Sequence, residues 1–100
     1  MRELVLDGRN WQTRDDVYDA FFAAVGAPLW HGRNFNALRD SIATGDINQI
    51  KVPYRVVIGN SDLISGEAVQ MVADFADFLH ELSASGCSVA IELRDSQGTV

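Results

Sequence analysis

The sequence predicts a small α/β domain with a three-stranded parallel sheet and about three to four helices, and two observations carry that prediction. Short apolar runs recur at Glu3–Leu6, Tyr54–Ile58 and Ser88–Leu93, with the composition and turn-rich borders of strands. Between them lie stretches with apolar residues at helical spacing, so both strand-to-strand connections are helical, and such crossovers favour parallel pairing. Three strands are too few for two full helical layers, so the helices should cover the sheet unevenly. The length of 100 residues, with 47% hydrophobic and 22% charged residues, suits one domain over residues 1–100, and no repeat or Pro/Ser-rich linker interrupts it.

The first strand, Glu3 to Leu6, ends at the turn pair Asp7-Gly8. Thr13 then opens a helix, because its hydroxyl can cap the free N–H groups of the first turn and Asp16 stands at the capping-box spacing. Asp15 and Asp16 also suit the positive end of the helix dipole. Val17, Phe21, Ala24 and Val25 form the stripe expected to be buried, and Gly26 the stop. After Pro28 a loop over Leu29 to Arg33 leads into a helix from about Asn34 to Thr44. There Phe35, Leu38 and Ile42 share the face that goes to the core, while Asn36, Arg39, Asp40 and Ala43 fall on another face. Gly45 ends this helix. The second strand, Tyr54 to Ile58, closes at Gly59-Asn60, and Ser61 to Ile64 can form a single helical turn. Glu67 to Ser85 is the longest helical pattern, with Met71, Val72, Phe75, Leu79 and Leu82 inward, Asp74, Asp77 and Glu81 on the opposite side, and Gly86 as its left-handed stop. Ser88 to Leu93 is the last strand.

Composition narrows the function. Eight Lys plus Arg against fourteen Asp plus Glu give a net charge of −6, which argues against direct nucleic-acid binding and favours a basic partner. Nothing approaches the apolar length of a membrane span, and the opening MRELVLDGRN lacks the apolar stretch of a secretory signal, so cytoplasmic residence with no membrane partner is expected. The lone Cys87 cannot form an internal bridge, and it reads as a small hydrophobe before a buried strand. Gly26, Gly32, Gly45 and Gly59 each stand alone, so no glycine-rich phosphate loop exists. His31 and His80 lack a ligand-spaced neighbour and read as surface histidines, so neither a metal nor another cofactor is expected. No serine sits in a nucleophile-elbow pattern, and no constellation of groups converges for catalysis.

Two features remain. From Gly59 through Leu93 there is no Lys or Arg, yet Asp62, Glu67, Asp74, Asp77, Glu81 and Glu92 all fall there. This is either a solvated acidic helix face or a field that steers a basic partner. The second is the segment Trp30 to Ile42, a loop tryptophan followed by a glycine and a helix with polar residues outward. Trp30 is either a partly buried loop anchor or part of a protein-binding edge.

The sequence resembles the barstar family, intracellular inhibitors of bacterial ribonucleases. The resemblance rests on Leu6-Asp7-Gly8 after the first strand, on the run Trp30 to Ile42 with Gly32, Asn34, Ala37, Leu38 and Asp40 in the family's places, and on Gly86-Cys87 before the last strand. It implies a barstar-like layered fold and an antitoxin or immunity-type protein, not an enzyme, that blocks the active site of a basic bacterial ribonuclease or ribonuclease-type toxin. By the same resemblance Trp30 is the loop aromatic, Asp40 the side chain that takes the place of a substrate phosphate, and Glu81 a supporting acid. Gly32 would let the loop turn tightly, and Asn34 would stabilise the junction of loop and helix. The binding set expected from it is Trp30, His31, Gly32, Asn34, Asn36, Arg39, Asp40, Ala43, Gly45, Asp46 and Glu81. Asn36, Arg39 and Ser85 depart from the family's pattern. An interaction module of the same fold that binds a non-nuclease partner is the alternative.

Overall fold

The computed structural model describes residues 1–44 and 47–97. Among them the order is β1 (Arg2–Asp7), α1 (Arg14–Val25), α2 (Phe35–Thr44), β2 (Tyr54–Gly59), a 3-10 turn (Ser61–Leu63), α3 (Glu67–Ala84) and β3 (Val89–Leu93). The sheet has the order β1-β2-β3 and both pairings are parallel, as the two helical crossovers require. The expected elements are all present, with ends that move by a residue or two. Ser88 falls outside β3, although its carbonyl still accepts from the Tyr54 N–H (3.2 Å).

Local chemistry sets the helix ends. At α1 the Thr13 hydroxyl accepts from the Asp16 N–H (3.2 Å), and the Asp16 carboxylate accepts from the Thr13 and Gln12 N–H groups (3.0 and 2.8 Å), which closes a capping box. Those backbone donors hold the Asp16 carboxyl below the usual carboxylate range. Gly26 ends α1 at φ 68°, where a side chain would also strike Gln49. Gly66 precedes α3 at φ 60°, and a Cβ there would lie 2.6 Å from the Gln12 carbonyl oxygen. Only glycine lets α3 start so close to the chain that enters α1.

The alternation of the strands divides the sheet into two unlike faces. Leu4, Leu6, Tyr54, Val56, Ile58 and Val89 point into one apolar core with Val17, Phe21, Met71, Phe75 and Leu79 from the helices. Trp11 and Tyr18 join that core, whereas Ala24 is only half-buried. Phe21 and Phe75 meet edge to face at 5.1 Å between ring centres. The opposite face carries Glu3, Arg55 and Glu92 around Val5 and Val57. Arg55 reaches Glu3 (3.2 Å), and Arg94 bridges Glu92 and Glu3. Ion pairs thus stand where a second helical layer would otherwise pack.

At the far end of the strands the polar groups are joined to one another. The Gly8 N–H donates to the Gly59 carbonyl, and the Arg94 N–H to that of Ile58 (2.9 Å each). Asp7 accepts from Asn60 Nδ2 (2.8 Å) and the Arg9 N–H (3.0 Å). Asp62 accepts from the N–H and hydroxyl of Ser96 (2.5 and 2.6 Å). Both carboxyls are held below their usual range, by Asn60 and then Arg9 for Asp7 and by Ser96 for Asp62.

Helix α2 is seated through Leu38 and Ile42, which are 0% and 2% exposed, and through Phe35, stacked on Phe78 of α3 at 4.8 Å. Asn36, Arg39, Asp40 and Ala43 on its other face are all exposed. Leu38→Ala should therefore lower stability by about 3 kcal/mol through lost burial and a cavity, while Asn36→Ala should change it by less than about 0.5 kcal/mol. Urea unfolding midpoints of the two variants check this contrast.

Candidate partner-binding site

The loop before α2 displays its apolar side chains. Trp30 is 74% exposed and its neighbour Leu29 is fully exposed. The anchor role open to Trp30 in the sequence is thereby ruled out, and Leu29 joins it as a residue that sequence reasoning had left out. Exposure of two large apolar side chains in a row costs solubility and marks a contact surface more often than a structural need.

His31 behaves in the opposite way and corrects the expectation of a surface histidine. It is 7% exposed and lies 4.6 Å from the Phe22 ring. Its Nδ1 is 2.8 Å from the Gly32 carbonyl oxygen and its Nε2 is 2.8 Å from Ser41 Oγ. A carbonyl can only accept, so Nδ1 carries a proton, while Nε2 meets the Ser41 hydroxyl. Histidine and serine in hydrogen-bond contact have the outline of a nucleophile and base. Ser41 is nevertheless 1% exposed and lies 3.2 Å from the Leu38 carbonyl as well, so no substrate reaches it. The pair braces the loop against α2. Neither residue's sequence neighbours betray the contact, because it spans ten positions and depends on how the loop folds back. His80 is exposed as expected.

Arg33 holds the loop from the other side. Its guanidinium pairs with Asp15 (3.1 Å) and Asp19 of α1 and lies over the Tyr18 and Phe22 rings at 5.9 and 5.6 Å. The Asp19 carboxylate, then Asp15, holds the Arg33 pKa above its ordinary value. Asp15 is thus more than a helix-start charge. Asn34 begins α2 by accepting the Ala37 N–H on its side-chain oxygen (2.8 Å), the junction role foreseen for it. Gly32 does not use the backbone freedom expected of it, since its φ is not positive. A Cβ there would meet Asn34 Nδ2 at 3.1 Å and the Ala37 methyl at 3.2 Å, a close fit that asks those neighbours to give by a few tenths of an ångström.

The outer face of α2 completes the site. Asn36, Arg39, Asp40 and Ala43 are brought together as the helical period requires. Among the described residues the Asp40 carboxylate has no partner; only its backbone carbonyl is engaged from the side, by Thr44 Oγ1 (2.6 Å). Arg39 lies over the Phe78 ring at 5.4 Å and reaches to 3.9 Å from Glu81 Oε2, which brings Glu81 of α3 beside α2. Asp74 and Asp77 line the same groove with Phe35 and Phe78, and Asp74 accepts from Gln70 Nε2 (2.9 Å). Ser85 donates its hydroxyl to the Glu81 carbonyl (2.8 Å). Gly45 and Asp46 lie outside the described residues. Among the described residues no cluster of His, Cys, Asp and Glu is placed to hold a metal, and no helix is long and apolar enough to cross a membrane.

Comparison with known families places this architecture among protein inhibitors. The family described as barstar (barnase inhibitor) matches residues 1–95, and the chain belongs to it. It is a barnase-inhibitor-like domain. No match is found among curated proteins.

Because α1 and α2 hold the loop through Arg33 and His31, Arg33→Ala should free the loop tip without unfolding the chain. The two indole N–H groups report separately in nitrogen-15 relaxation. The heteronuclear Overhauser effect of Trp30 should fall while that of buried Trp11 stays unchanged.

Proposed function

We propose that this protein blocks the active site of a basic bacterial ribonuclease or ribonuclease-type toxin, in the manner of an antitoxin or immunity protein, with residues 1–100 acting as one domain. The observation that carries the reading is Asp40. It stands outward on a helix seated by Leu38 and Ile42, beside the displayed Trp30, with no internal partner for its carboxylate among the described residues. A ribonuclease active site gathers cationic groups to meet a phosphate, and a carboxylate delivered there forms charge-assisted hydrogen bonds. Trp30 and Leu29 supply apolar area at the rim, and Asn36, Ala43 and Glu81 extend the contact along α2 and α3. Inhibition needs occupation of the cleft and no chemistry by the inhibitor. A cytoplasmic location fits a cell that protects its own RNA.

The acidic side chains beyond Gly59 support approach more than grip. Several already serve the fold: Asp62 holds Ser96, Glu67 accepts the Arg14 N–H (3.1 Å), and Glu92 pairs with Arg94. Their field still reaches a basic protein through solvent within a screening length. Against a barnase-type ribonuclease, association should slow several-fold between low salt and about 0.5 M salt, with dissociation changing less; stopped-flow rates check this.

Asp40→Ala should weaken such a complex by at least about 2 kcal/mol, seen mainly as faster dissociation, because it strands cationic groups that had been desolvated to meet it. Thermal stability of the free protein should hold within about 0.5 kcal/mol. Asp74→Ala, the control, should alter association slightly and dissociation scarcely. Equal, small effects of both substitutions on dissociation overturn the reading, and binding to a non-nuclease protein then becomes the better one.

A further inference from the structure

The two edges of the sheet are unlike. Along a strand, residues whose N–H and carbonyl point toward one neighbour alternate with residues whose groups point away. The Gly8 N–H meets Gly59 of β2, and the Arg94 N–H meets Ile58 of β2, so the even-numbered residues of β1 and β3 bond inward. The outward-bonding residues are then Glu3, Val5 and Asp7 on β1 and Val89, Ile91 and Leu93 on β3. Two acids guard the β1 edge against other strands. The outward-bonding residues of β3 carry no charge, and among the described residues no backbone partner takes the N–H of Ile91 or Leu93.

Beside the β3 edge the surface is apolar. A groove of about 400 Å³ opens between Leu93 and α3, lined by Ser61, Asp62, Ile64, Val69, Val72 and Ala73 as well. Val69 and Leu93 are 56% and 48% exposed. The acids of α3 lie elsewhere: Asp74, Asp77 and Glu81 line the groove toward α2 with Arg39, and Glu67 accepts the Arg14 N–H. Among the described residues Asp62 is the one acid lining the β3 groove, and it is already bonded to Ser96. Glu92 points to the other face of the sheet and pairs with Arg94. In a chain of net charge −6, the β3 edge is a strip where two copies can meet without setting one free acid against another.

We propose that β3 pairs antiparallel with β3 of a second copy of this chain, joining the two sheets into one. A twofold axis between antiparallel strands keeps the faces of the sheet, so residues of like parity stand opposite one another. Centred on Ile91, the pairing sets Val89 against Leu93 of the second copy and Ala90 against Glu92 of the second copy. The two Ile91 residues exchange both hydrogen bonds, and each Leu93 N–H donates to the opposite Val89 carbonyl. Centred one residue further along, Glu92 would face its own copy, which like charge disfavours. Val69 and Ala73 border the line of contact. A contact one short strand long is small beside the interface of a permanent dimer, so the pair forms reversibly. None of these residues belongs to the set assigned to the ribonuclease, so the inference stands apart from the blocking reading.

Sedimentation velocity of the full chain from about 10 μM to about 1 mM tests this, with amide hydrogen exchange on the same samples. The expected result is a reversible monomer–dimer equilibrium in which the Ile91 and Leu93 amides exchange several-fold more slowly at high concentration. Raising salt to about 0.5 M should strengthen the pairing, because ions screen the repulsion between two acidic copies. That is the reverse of the salt effect expected with a basic ribonuclease. Leu93→Lys and Ala73→Lys, at exposed positions, should each weaken the dimer about tenfold or more and leave the monomer folded. Val5→Lys, at a site 68% exposed on β1, should leave it unchanged. A chain that stays monomeric throughout overturns the proposal and leaves the β3 edge to a strand of another protein. A dimer that survives either lysine substitution near β3, that is lost with Val5→Lys, or that forms without slowing the Ile91 and Leu93 amides overturns it as well, since another surface then carries the contact.

Discussion

The seating of α2 by Leu38 and Ile42 is the constraint on which the rest of the proposed binding face depends. A helix of ten residues cannot hold its place in water by its own hydrogen bonds; it is held because two fully buried side chains and the Phe35–Phe78 stack fix its rotation about its own axis. Once that rotation is fixed, Asn36, Arg39, Asp40 and Ala43 have no way to turn inward. The outward charges are therefore a by-product of apolar packing, and no bond to Asp40 itself is needed to aim it.

The loop before α2 is ordered by unlike means on its two sides. Toward α2 the brace is a buried pair of hydrogen bonds through His31 and Ser41. Toward α1 it is an exposed guanidinium between two carboxylates and over two rings. The buried brace is insensitive to salt, and the exposed one is weakened by it. Both act in the free chain, so under the proposed function the loop has little freedom left to give up on binding.

How much of this was legible in the sequence depends on the range of the interactions. The strands, the capping box of Thr13 and Asp16, and the two faces of α2 and α3 follow from patterns within a few residues, and those patterns held. His31 was read as a surface residue because its partners, Ser41 and Phe22, lie ten positions ahead and nine behind and are brought together only by the folded loop. Arg33 escaped notice for the same reason: its carboxylates stand on α1, and a lone arginine in a loop carries no sign of them. Leu29 was passed over since an apolar residue after Pro28 is ordinarily a packing residue. For Gly32 the expected cause, a tight turn, does not apply, and the closeness of Asn34 and Ala37 around it cannot be seen in a one-dimensional pattern.

The rim formed by Asp7, Gly59, Asn60 and Arg94 has a wider meaning. In open parallel α/β sheets the carboxyl ends of the strands are where small-molecule ligands commonly sit. Here the strand ends donate and accept among themselves, and the two acids there, Asp7 and Asp62, are engaged by neighbours that lower their proton affinity. Acids so stabilised are poor proton acceptors at neutral pH. The edge that other proteins of this architecture keep open for small molecules is in this chain partly hemmed by its own polar groups, with a groove of about 400 Å³ left beside Asp62, Val72 and Leu93, and under the proposed function a large and flat counterpart meets the flank of a helix instead.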